Sequence, residues 1–124
     1  MNSRAAAIPL LPVLLLVASG CSAPAPPRSD ALAVYPQPDH GMDALLEGTL
    51  REVDGCVVIE LADESLVVPV FPEGDAAWGV EGLTWKGDVF DDGATVHLGG
   101  GFAESDDADV PDGCGARTTF LVSP

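Results

Sequence analysis

The chain has 124 residues, with 5 Lys+Arg against 20 Asp+Glu and a formal net charge of −15. That length suits one folded domain. A charge this acidic argues against DNA, RNA and anionic lipid headgroups as ligands, because little is available to displace counterions from phosphates. Two His and three Cys leave little raw material for a transition-metal site or a catalytic triad.

The N-terminus reads as an address. Arg4 is the only charge before Arg28, and residues 5–20 are almost wholly apolar, centred on Val13, Leu14, Leu15, Leu16, Val17 and Ala18. A short positive region, an apolar core and small residues at its end make an export signal. The apolar stretch is interrupted by Pro9 and Pro12 and is shorter than the roughly 20 residues a membrane-spanning helix needs.

The ending Ala18-Ser19-Gly20-Cys21 resembles the lipobox of bacterial lipoproteins, although Ala18 stands where Leu is commoner. The resemblance implies that residues 1–20 are removed and that the thiol of Cys21 carries a diacylglyceryl group. It also implies that the protein sits on the extracytoplasmic face of the cell membrane, held by acyl chains.

Residues 21–41 hold the lipidated Cys and a Pro/Ala-rich tether. Pro24, Pro26, Pro27, Pro36 and Pro38 forbid a helix and disfavour a sheet. The segment is expected to be a disordered, semi-rigid spacer, with Tyr35 able to pack back on the domain.

Residues 42–124 read as the domain. Apolar and polar residues alternate, and Gly or Asp clusters punctuate them at the spacing of a small all-β fold. A first strand places Leu46, Gly48 and Leu50 on one face. Asp54-Gly55 is a hairpin signal. Val57, Ile59 and Leu61 line the core face of a second strand, with Val58 and Glu60 outward. Residues 66–71 form a third strand, where Pro69 implies an edge or a bulge. Residues 72–79 read as a loop containing Trp78, with a single helical turn near 75–78 as an option. Residues 83–90 read as a fourth strand with Leu83, Trp85 and Val89 on one face. After Asp91-Asp92-Gly93, Ala94, Val96 and Leu98 face inward on a fifth strand that ends at Gly99-Gly100-Gly101. An acidic loop leads to a closing strand with Thr118, Phe120 and Val122. Five or six antiparallel strands in so short a domain predict a small OB-like barrel, which removes exposed edges, with a small β-sandwich as the alternative.

With Cys21 lipidated, Cys56 and Cys114 remain, and an even pair in an exported domain reads as a disulfide. The bridge closes a loop of about 59 residues, worth roughly 4 kcal/mol in the chain-entropy picture. No spacing of Cys and His suits zinc.

Candidate chemistry is thin. His97 precedes Leu98-Gly99-Gly100-Gly101, superficially like an esterase oxyanion loop, but the chain has no Gly-x-Ser-x-Gly partner. His97 and His40 therefore read as exposed. Asp106, Asp107, Asp109 and Asp112 are dense enough for calcium, yet Pro111 falls at a ligand position and no bidentate Glu follows at EF-hand spacing. A solvated acidic loop is the simpler reading. Paired carboxylates as glycosidase acid and base need a cleft that so small a domain rarely offers. Trp78 is either a plug over the barrel mouth or an exposed contact.

The run Leu46-Glu47-Gly48-Thr49-Leu50, then Cys56, Val70-Phe71-Pro72-Glu73-Gly74, Val96-His97-Leu98-Gly99-Gly100-Gly101 and 111–114, is similar to the layout of small lipoproteins from high-GC actinobacteria. That resemblance implies a secreted OB-like barrel with one disulfide and transfers no catalytic residue. The sequence thus predicts a lipid-anchored envelope module, a non-enzymatic binding or accessory protein with neither cofactor nor resident metal. An envelope protein is its expected partner. The alternative is an extracellular calcium or small-ligand binder using the 104–112 loop.

Overall fold

A computed structural model describes residues 31–124. The export signal and Cys21 lie outside the described residues. Nine strands follow in order: β1 (Ala33–Tyr35), β2 (Ala44–Val53), β3 (Cys56–Glu60), β4 (Leu66–Pro72), β5 (Ala76–Gly79), β6 (Gly82–Trp85), β7 (Asp88–Phe90), β8 (Thr95–Phe102) and β9 (Thr118–Val122).

The β2–β3 hairpin forms where Asp54-Gly55 predicts it. Both residues take positive φ, 54° and 75°, as a two-residue turn between right-twisted strands requires. Val53 then faces Cys56, and the register runs on to Thr49 opposite Glu60. Leu46 and Leu50 of β2 and Val57 and Ile59 of β3 are buried.

The strands β4, β3, β2, β8 and β9 follow one another around a barrel, which closes where β9 returns to β4. A sandwich is thereby excluded. Within the barrel the expected all-antiparallel pairing is corrected in one respect: β4 and β9 are parallel. Five strands are an odd number, and strict up-down alternation cannot close an odd ring, so one neighbouring pair must run the same way. Counting the barrel strands along the chain as first to fifth, the cyclic order is first, second, third, fifth, fourth. This is the Greek-key order of an OB-type barrel.

The chain joins the fold earlier than composition suggests. The spacer expected through residue 41 gives way to β1, which pairs in parallel with β4 from Ala33–Val70 to Tyr35–Pro72. Ala31, Leu32, Ala33 and Tyr35 are buried. Proline-rich sequence favours extended backbone, and a parallel edge strand is extended backbone with a partner. Pro69 is explained by the same junction. It lies between Val67, which pairs with β3, and Val70, which pairs with β1. A residue without an N–H is tolerated where a strand changes partner. Pro69 is therefore neither at an exposed edge nor exposed.

Between β4 and β8 the chain makes a separate three-stranded meander, β5-β6-β7. Residues 76–79 are strand, not loop or helical turn. The single strand expected over 83–90 is two, because Lys86 and Gly87 both take positive φ and reverse the chain. The reversal moves Val89 opposite Thr84, on the solvent face, while Leu83 and Trp85 point into the core. Trp85 meets Phe71 edge-on at 5.0 Å between ring centroids. Trp78, Leu83 and Trp85 share one apolar cluster with barrel residues such as Leu50, Ile59 and Phe120. The meander is thus a lid of the barrel core. β8 also runs through the triple glycine to Phe102 instead of stopping there. At Gly100 a Cβ would run into the Leu121 carbonyl of β9, so the glycine admits a close neighbour rather than ending the strand.

Candidate functional site

Two apolar clusters, not one, organise the domain. The second contains Ala33, Tyr35, Cys56, Val58, Val68, Val70 and Cys114. Val58, Val68 and Val70 alternate with the barrel-core residues Val57, Val67 and Phe71, so they occupy the outer face of β3 and β4. Val58 points away from the barrel interior, as its alternation predicts, yet it is fully buried.

What buries it is the acidic loop. Ala108 and Val110 pack against this outer cluster. Val34 and Asp109 form a two-way backbone bridge, N to O at 3.0 Å in one direction and 2.8 Å in the other. Cys114, in a 3-10 turn at Asp112–Cys114, is bonded to Cys56. The guanidinium of Arg117 donates to the carbonyls of Gly113 and Cys114 at 2.7 and 3.2 Å, and its other nitrogen lies 3.6 Å from Asp54. The Thr119 hydroxyl donates to the Ala103 carbonyl at 2.5 Å. Residues 103–117 are therefore a cover bound to the barrel along their length. Their alternation was legible as Ala108 and Val110 between aspartates, but a carboxylate-rich run reads as solvated until its partner face is known.

In OB-type barrels the outer face of the second and third strands, with the loop between the fourth and fifth, is the usual ligand surface. Here those strands are β3 and β4, that loop is residues 103–117, and the loop lies on the face. The aspartates bracket apolar anchors instead of converging. Among the described residues no three His, Cys, Asp or Glu side chains come together as a metal site.

A cleft of about 310 Å³ remains between the two limbs of the loop. Val70 and Leu121 lie beneath it, Ala108, Val110 and Ala116 at its sides, and Glu104, Asp106 and Arg117 at its rim. Arg117 keeps its charge while bonded to the two carbonyls but lies against the Asp54 carboxylate, and Glu104 and Asp106 leave the rim net acidic. That surface suits a cationic or polar-apolar contact better than an anion.

His97 is exposed on β8, with Nδ1 3.6 Å from Glu47 Oε2 on the paired strand. His40 is exposed as well. Among the described residues, no hydrogen bond joins a Ser hydroxyl or Cys thiol to either imidazole. Trp78 is a buried plug whose indole N–H donates to Glu52 at 2.9 Å. Asp63 accepts both the Ser65 N–H and hydroxyl, which holds its carboxyl below the usual range and closes the β3–β4 turn. Tyr35 packs onto the domain, the option that the sequence left open beside the spacer reading of residues 21–41.

Compared with family models, with curated proteins and with solved structures, the chain returns no match.

Proposed function

We propose that this protein is a lipid-anchored, extracytoplasmic envelope module that binds or accompanies another envelope protein and carries out no catalysis of its own. The observation that carries the reading is the Cys56–Cys114 bond. A buried structural disulfide belongs to an oxidising compartment, which accords with an export signal ending at Cys21. The anchor would be an acylated Cys21, and the cell membrane would be its location.

The fold supports presentation more than chemistry. The usual ligand face of the barrel is filled by the chain's own loop, so a partner would meet the exterior of the cover and the rim of its cleft. An acidic exterior favours a partner with complementary basic surface.

The test is made in an exporting bacterial host with a clickable palmitate analogue. The wild-type chain should take up label and sediment with membranes, whereas Cys21→Ser should do neither. Cross-linking before detergent extraction should then enrich one envelope protein with the anchored form. Equal labelling of both forms would defeat the anchor. Anchoring without any enriched partner would defeat the accessory role.

A further inference from the structure

The cleft over the outer face of β4 and β9 is held open. Its walls belong to the two limbs of the 103–117 cover, and each limb is fixed beside the cleft. The Thr119 hydroxyl holds the Ala103 carbonyl, next to Glu104. The two-way Val34–Asp109 bridge stands between Ala108 and Val110. The Cys56–Cys114 bond on one side and the Arg117 guanidinium on the other bracket Ala116. To collapse onto Val70 and Leu121, the limbs would have to break one of these ties. A cleft of about 310 Å³ with fixed walls meets a ligand already organised, which lowers the cost of binding.

The lining is apolar below and rich in acceptors above. Val70 and Leu121 make the floor, opposite each other in the β4–β9 register. At the rim stand Glu104, Ser105 and Asp106. Among the described residues, none of these three side chains has a hydrogen-bond or ion-pair partner. Carboxylates only accept, and a hydroxyl accepts as well as donates. The cation of the lining, Arg117, is turned to the Gly113 and Cys114 carbonyls with Asp54 against it. The Thr119 hydroxyl is spent on Ala103. The cleft therefore asks for a donor-rich, positively charged head on an apolar stem.

Arginine answers that description most fully. Its guanidinium carries donors and no acceptor, in a planar fork that matches carboxylates. It is weakly hydrated, so it leaves water more readily than an ammonium does. Its methylene stem covers apolar surface while the head stays at the rim. Lysine brings the same charge as a compact, strongly hydrated point and gains less in such a place. An anionic side chain would meet Glu104 and Asp106 as like charges.

We propose that this cleft is the socket for one arginine side chain of the envelope partner. The stem lies on Val70 and Leu121, and the guanidinium donates to Glu104 and Asp106 at the rim. The inference deepens the accessory reading and rests on it for the partner that carries the arginine. The cover then has two roles. It fills the outer face of β3 and β4, and its two limbs shape a site of different chemistry above that face.

The experiment titrates the full chain in detergent micelles with acetyl-Ala-Arg-Ala-amide and follows backbone amide shifts. The same peptide with Lys or citrulline in place of Arg serves as comparison. The arginine peptide should move residues 104–106 and 116–121 and saturate in the millimolar range, as one side chain allows. Citrulline keeps the shape without the charge and should bind at least about tenfold more weakly. Lysine should also bind more weakly. Ala116→Phe fills the cleft from an exposed position and should abolish the shifts. Glu104→Gln with Asp106→Asn should weaken arginine binding about tenfold. Both variants should keep the wild-type Tm. No saturation, an equal response to Lys or citrulline, or shifts that survive Ala116→Phe would overturn the socket. The wild type and Ala116→Phe are then cross-linked in the exporting host, where a partner held by the first and lost by the second is expected. A partner captured equally by both overturns the socket and leaves the accessory reading standing. Saturable arginine binding with no captured partner upholds the socket and overturns the accessory reading.

Discussion

The hydroxyl of Tyr35 donates to the main-chain carbonyl of Val122 at 2.7 Å, joining the first strand to the last across 87 positions of sequence. Tyr35 is buried, and its neighbour in β4 is Pro72. One side chain thus ties the chain's entry to its exit. Tyr35→Phe keeps the ring and leaves the Val122 carbonyl without that partner. The expected cost is about 1–2 kcal/mol, read as a fall in Tm in thermal unfolding.

The same residue sets a limit on alkaline stability. Burial, and then the charge of Asp75, raise the pKa of Tyr35 above its ordinary value. The folded state therefore retains the phenolic proton at a pH where the unfolded chain has lost it. The associated stability is complete below about pH 10 and declines as pH rises through the raised folded value. Tyr35 is the one tyrosine of the chain, so phenolate absorbance reports it alone. Unfolding curves in alkaline buffer should fall for the wild type and be flatter for Tyr35→Phe.

Val58 and His97 separate position on a strand from exposure. Both point out of the barrel, but Val58 lies beneath the 103–117 cover and His97 faces solvent. Val58→Asp buries a carboxylate without a partner and should cost more than about 3 kcal/mol. His97→Ala should stay within about 0.5 kcal/mol. Denaturant midpoints of the two variants check the contrast, and equal values would mean the cover does not hold in solution.

Removing the cross-link tests the cover from the other side. Cys56→Ala combined with Cys114→Ala should lower stability by roughly 4 kcal/mol. Amide exchange should accelerate first in residues 103–117, because the remaining ties to the barrel are the packing of Ala108 and Val110, the Val34–Asp109 bridge, the Arg117–Asp54 ion pair and the Thr119 hydrogen bond. Uniform acceleration across β2, β3 and the loop would show that the loop unfolds only with the barrel.

Calcium offers a direct check on the aspartates. Asp106, Asp107, Asp109 and Asp112 flank apolar anchors and do not gather into a ligand set. Millimolar calcium should leave the Tm unchanged, and Asp107→Ala should not alter that response. A calcium-dependent rise in Tm lost in Asp107→Ala would establish a site there.

Local chemistry alone was enough for the β2–β3 hairpin, for the core face carrying Leu46, Leu50, Val57 and Ile59, and for the partnership of Cys56 with Cys114. Each depends on near neighbours in sequence or on a count: turn residues, a period of two, and the two cysteines that remain if Cys21 is the lipid site the lipobox resemblance implies. Tertiary structure decided the rest. β1 hides among prolines because its partner residues in β4 lie 37 positions away in sequence. The break at Lys86-Gly87 is missed because a two-residue reversal barely disturbs an apolar count. The double burial of β3 and β4 is present in the sequence only as the unbroken run Val57-Val58-Ile59 and its counterpart at 67–71. Which segment covers the outer face depends on where a distant loop lands, and Cys114, Val34 and Asp109 settle that only once the barrel has brought them together.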